Sequence, residues 1–120
     1  MQEIYYAKTH ADFLNQAFYT KYKAWMKSRW DLSSDTWVWM VRFDGIARDG
    51  WINKIINESE IWEEYIGKES PSYANEYERR YRIVVKIDDY DKHRTYRILG
   101  KYKYDELKST INKHVLIKVD

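Results

Sequence analysis

A chain of 120 residues with no cysteine suits one globular domain spanning residues 1–120, which buries its core without disulfides and offers neither thiolate metal ligands nor a cysteine nucleophile. Its 21 basic and 19 acidic side chains nearly cancel, giving +2, so a uniformly basic nucleic-acid binder is excluded and the placement of charge matters more than its total. There is no apolar run of about 18 residues, which predicts no membrane span or membrane partner. The start "MQEIYYAKTH" lacks the basic-then-apolar build of a signal peptide, so a cytoplasmic setting is expected.

"EIYYA" (3–7) is a short aromatic first strand. Thr9 with Asp12 forms a weak capping box, opening a helix to about Arg29 whose stripe is Leu14, Phe18, Tyr22 and Trp25. It should stop at the turn-forming "DLSSD" (31–35). "TWVWMVRF" (36–43) alternates as a strand with Trp37, Trp39, Val41 and Phe43 on one face and Val38, Met40 and Arg42 on the other; with both faces largely apolar, it reads as a central, covered strand. "DGIARDG" (44–50) is a loop. A second helix is predicted over Trp51–Ile66, from the stripe Ile52, Ile55, Ile56, Ser59, Trp62 and Ile66, with Gly67 as its C-terminal cap. Glu58, Glu60, Glu63 and Glu64 would then crowd its last turns, against the helix dipole.

"KESPSYANEY" (68–77) holds the only proline and reads as a loop. "RYRIVVKI" (80–87) and "RTYRILGKY" (94–102) follow as a hairpin closed by "DDYDKH" (88–93), with Gly100 placed for a bulge. A short helix over about Asp105–Lys113, with Leu107 and Ile111 inward, and a last strand "HVLIKV" (114–119) complete the chain. The fold class is therefore α+β: a two-layer domain with a mixed or antiparallel sheet of about five strands and three helices, in the order β-α-β-α-β-β-α-β.

Residues 1–75 carry 9 basic and 11 acidic side chains, whereas residues 76–118 carry 12 and 7. In the basic part, Arg80, Arg82 and Lys86 alternate away from the apolar face, and Arg97 and Lys101 fall on an equivalent face of the next strand. Such a row can contact phosphates, and Tyr90, Tyr102 or Tyr104 can stack on bases. The same residues also suit the solvated side of a half-covered sheet. Asp88, Asp89 and Asp91 with His93 fail the calcium-loop spacing, because Gly100 stands where the closing acid belongs, and turn chemistry accounts for them. Asp44 and Asp49, at the end of a covered strand, are the weak catalytic candidates for metal-dependent phosphoryl chemistry. His10, His93 and His114 lack metal-ligand spacing, and no motif asks for a cofactor or a metal. Six Trp and twelve Tyr serve cores, stacking platforms and interfaces alike.

The leading expectation is a small non-enzymatic binding protein that contacts nucleic acid through the basic C-terminal hairpin. The alternative is a protein–protein module, either an inhibitor or a homodimeric scaffold, and a metal-dependent nuclease ranks third.

Overall fold

The computed structural model describes residues 4–22, 28–90 and 93–120, with Tyr90 described in its backbone alone. Among them are eight strands in one mixed sheet and two short helices, which overturns the two-layer arrangement of five strands and three helices. The strands are β1 (Ile4–Ala7), β2 (Arg29–Asp31), β3 (Thr36–Val41), β4 (Trp51–Asn57), β5 (Glu60–Tyr65), β6 (Tyr81–Tyr90), β7 (His93–Tyr104) and β8 (Lys113–Lys118). The helices are α1 (His10–Phe18) and α2 (Glu76–Arg79). The sheet order is β2-β3-β6-β7-β8-β5-β4, with β1 on the first half of β7 and β8 on its last residues. Among the described strands only β3 with β6 is parallel.

The largest correction concerns 51–66. This segment is the antiparallel hairpin β4–β5, with Trp51 opposite Tyr65 and Asn53 opposite Glu63. Its apolar spacing fits both periods, and the choice falls to strand because β-branched Ile52, Ile55, Ile56 and Ile61 favour a pleated surface. Asn57 closes the turn, its side chain accepting from Ser59 N at 2.8 Å. Three of the four acids that would have opposed a helix dipole instead have cationic partners: Glu64 with Lys54, Glu60 with Lys108 and Glu63 with Arg82.

Of the other two expected helices, the first shrinks and the one over 105–113 gives way to turns. Thr9 caps α1 by accepting from Asp12 N, but the helix ends at Phe18 with Tyr19 left-handed at φ 58°. Asn15 then bonds both the N–H and the carbonyl of Tyr22, and that wrap replaces further helical turns. Trp25, on the expected stripe, lies outside the described residues. In 105–113 the Asp105 carboxylate takes the N–H groups of Leu107 and Lys108, a local turn that competes with helix. Leu107 is 97% exposed rather than inward. Sequence reading missed α2, which carries a full capping box between Asn75 and Glu78.

The sheet curls around one apolar cluster. Trp37 and Trp39 of β3, Val84 of β6, Leu99, Tyr102 and Tyr104 of β7, Leu116 of β8 and Ile61 of β5 all meet there. The two ends of the sheet, β3 and the β4–β5 hairpin, are thereby brought to face each other. A second cluster on the outer side packs Phe13 and Leu14 of α1 on Val38, Met40, Val85, Ile87 and Tyr96. With both faces covered, β3 is buried at all six positions. Between Val84 and Val85 the β6–β7 ladder shifts register, as Gly100 gives way to Ile98 opposite. Gly100, at φ 144°, belongs to that irregularity.

Candidate functional site

The inner face of the hairpin places Trp51 and Asn53 of β4 beside Glu63 of β5, and Glu63 lies directly opposite His114 of β8. The inner face of β6 begins with Arg82, which is paired in register with Trp37 and Tyr102. These side chains form a polar floor inside an aromatic cluster. Arg82 is 1% exposed, with its guanidinium 4.5 Å from the Trp37 ring centre and 4.9 Å from that of Trp39. It donates to the Glu78 carbonyl at 2.7 Å and reaches Glu63 Oε1 at 3.4 Å. His114, 2% exposed, meets the same Oε1 through Nδ1 at 3.3 Å. Burial acts to raise the Glu63 carboxyl, but the His114 hydrogen bond and the Arg82 charge outweigh it and hold it below the usual range. Glu63 is therefore an anion locked between two bases.

Above this floor opens a groove of about 540 Å³. Trp39 and Trp51 wall it, Asn53, Glu63 and His114 line its depth, and Ser72 and Tyr73 come from the loop before α2. The Trp51 ring lies 4.6 Å from His114 and 5.1 Å from Tyr65. Gly50, at φ 87°, seats the 44–50 loop there, and a Cβ would stand 2.4 Å from the Tyr65 ring. Four arginines also line the groove: Arg29, Arg42, Arg48 and Arg94. Two of the groove's side chains hold buried polar atoms without a hydrogen-bond partner, Asn53 Oδ1 and His114 Nε2.

The groove runs on to His10, 8% exposed, whose Nδ1 lies 2.8 Å from the Tyr96 hydroxyl. Burial, then the charges of Arg94 and Arg42, lower its pKa from 6.5 to about 4. The folded chain thus keeps His10 neutral where the unfolded chain would take up a proton. Stability is therefore expected to fall as pH drops from about 6.5 to 4 and to change no further from this group below that. The loss should reach on the order of 3 kcal/mol. Urea titrations of the wild type and His10→Gln across this range check it: the difference between their curves should narrow as pH falls. A constant difference would remove His10 as the cause.

The residues singled out from sequence scatter. Arg82 is part of the buried floor rather than an outward cation, because both faces of β6 are covered. Tyr102 and Tyr104 belong to the core and neither lines the groove. Lys86 stands opposite Arg97 across the ladder and bonds Asp88 at 3.0 Å. Lys101 stands opposite Ile83, which packs on the α1 side, and lies over the Tyr81 ring. Arg80 sits over Tyr77 at 5.5 Å. The side chain of Tyr90, and all of Asp91, lie outside the described residues.

Asp44 is an exposed partner of Arg48 in a two-bond ion pair, which together with the Ile46 N–H holds its carboxyl well below the usual range. Asp49, left-handed at φ 54°, lines the groove. Among the described residues, the group of acids and histidines dense enough for a metal ion is Glu63, Glu78 and His114, within 4.8 Å of one another; neither Asp44 nor Asp49 belongs to it. Sequence reasoning missed Trp51, Asn53, Glu63 and His114 as a set. They come from three strands, and 51 positions separate Glu63 from His114, so only the pairing of β5 with β8 reveals them.

No protein-family model matches the chain, and no curated protein is similar to it in sequence. Among solved structures, the 5-hydroxymethylcytosine-specific restriction enzyme AbaSI is similar, with a TM-score of 0.68 at 22% identity over 96% of this chain. This chain spans 38% of that protein's length, and the likeness is one of fold: a curled sheet shared with part of a restriction enzyme.

Proposed function

We propose that the chain is a nucleic-acid-reading module that holds a single base, swung out of its helix, between Trp39 and Trp51. The observation that carries this reading is the groove itself, which combines aromatic walls, an unsatisfied polar floor and arginines along its length. A base removed from its stack gains most from flat aromatic walls, while polar groups at the floor read its edge. The arginines suit the flanking phosphates. Arg48 and Arg42 are held by exposed Asp44 and Asp89, and such surface pairs are worth little, so a phosphate can replace the carboxylate at small cost. Lys86 and Arg97, side by side on the hairpin, extend the basic track.

The likeness to an enzyme named for one modified cytosine supports the choice of a base as ligand. Binding rather than hydrolysis is favoured because the floor's acids are committed to cations, Glu63 to Arg82 and Glu78 to Arg29. The test is a titration with duplex DNA and with single-stranded DNA and RNA at 50 and 200 mM salt. Contact of Arg42, Arg48 and Arg94 with phosphates predicts roughly a 40-fold loss of duplex affinity between the two. Absence of binding, or binding indifferent to salt, overturns the reading.

A further inference from the structure

We propose that the end of the groove at His10 is a phosphate subsite, where Arg42, Arg94 and the His10 imidazole together hold one phosphate group of the nucleic acid. The inference rests on the base-reading function above and adds a second point of grip, on the opposite side of the sheet from the aromatic walls. The groove turns round the end of β3. Trp39 and Val41 of the inner cluster line it together with Met40 and Ile87 of the outer one.

Four elements assemble the subsite. Arg94 of β7 stands in register between Ala7 of β1 and Asp89 of β6. Asp89 takes two hydrogen bonds from Arg42, the residue that follows β3. His10 opens α1, with its Nδ1 against the hydroxyl of Tyr96, two residues from Arg94 on the same side of β7. The charges of Arg94 and Arg42, added to burial, keep this imidazole neutral. Asp89 and Asp12 are the acids on this side. Asp89 is 69% exposed, so a phosphate can take its place on Arg42 at small cost.

Two guanidiniums, a neutral buried imidazole and the positive end of a helix suit an oxyanion and disfavour a cation. A phosphate seated among them offsets the charges that repel a proton from His10. The imidazole then takes up a proton as the phosphate arrives and becomes a third donor, with the Tyr96 oxygen accepting from Nδ1. Proton uptake on binding makes affinity rise as pH falls.

The test follows the His10 imidazole by NMR across pH, in the protein alone and with three probes: a DNA duplex, an abasic strand that offers phosphates without bases, and inorganic phosphate. The duplex and the abasic strand should each raise the pH at which His10 takes up its proton by at least about one unit, a tenfold gain in proton affinity. Arg94→Gln should abolish that rise and lower the salt slope of duplex binding by about one. His10→Gln should flatten the gain in duplex affinity between about pH 7 and pH 5. The wild-type titration decides even where a variant fails to fold. A His10 that does not respond to bound duplex or abasic strand overturns the subsite and leaves the base-reading function standing. A response to inorganic phosphate alone overturns the nucleic acid as the source of the phosphate, and absence of binding to any nucleic acid removes both readings.

Discussion

Arg82→Ala is expected to cost about 3–5 kcal/mol of folding stability, a large part of the total a domain of this size has. The substitution leaves Glu63 buried and ionised with no guanidinium beside it, strips the cation from the faces of Trp37 and Trp39, and opens a void under both rings. Urea unfolding at neutral pH measures the loss. The informative companion is the double variant Arg82→Met with Glu63→Gln, which removes both charges and keeps most of the volume. It should recover most of the lost stability, since replacing a buried pair together is far milder than orphaning one member. Additive losses from the two single changes would mean that the pair is not coupled and that the floor is not the electrostatic unit described above.

The second large effect is on binding. Trp51→Ala should weaken association with duplex DNA by about 1–3 kcal/mol, the range for losing one aromatic platform. Its fold should persist, because Trp51 lies half-buried at the start of the outermost strand β4. Trp62→Ala is the matched control: Trp62 stands on the opposite face of the same hairpin, with its Nε1 donating to Glu60. Fluorescence anisotropy with a labelled duplex should show a loss for Trp51→Ala and none for Trp62→Ala. Equal losses would point to a general loosening of the hairpin instead of a stacking wall.

How much of this was legible in the sequence depends on how local each feature is. The β6–β7 hairpin, the irregularity at Gly100 and the covered β3 follow from alternation and turn chemistry within about 20 residues. The β4–β5 hairpin did not, because Ile52, Ile55, Ile56 and Trp62 satisfy a helical stripe as well as a pleated one, and tertiary pairing with β8 decides between them. The anomaly was visible: acids massed where a helix dipole disfavours them argued against helix, and Glu64, Glu60 and Glu63 prove to be partners of Lys54, Lys108 and Arg82. Arg82 misled for a related reason. Alternation assigned it to an outward face, but the curl of the sheet makes that face the concave one, where Arg82 packs on Trp37 and Trp39.

The site was the least legible part. Its signal in the sequence was the excess of tryptophan, which marks aromatic walls without saying which rings form them. The basic hairpin drew attention to Arg80, Lys86, Arg97 and Lys101, whereas the arginines that line the groove are Arg29, Arg42, Arg48 and Arg94, drawn from β2, from the segment between β3 and β4, and from β7. Their convergence depends on the sheet order, which places β2 and β3 at one end and β4 at the other, and no spacing in the chain encodes that order.

The central claim is that the groove takes a base out of its helix, and base pairing itself supplies the most direct measurement. The same cytosine is placed opposite guanine, opposite a mismatched adenine, and in a single strand, and the affinity is measured for each at one salt concentration. A pocket that must first unpair its ligand gains whatever the duplex no longer holds, a few kcal/mol at most, so the mismatched duplex should bind at least tenfold more tightly than the paired one. Equal affinity for the paired and mismatched duplexes would contradict the account, because a protein that reads the base within the stack has no pairing energy to overcome.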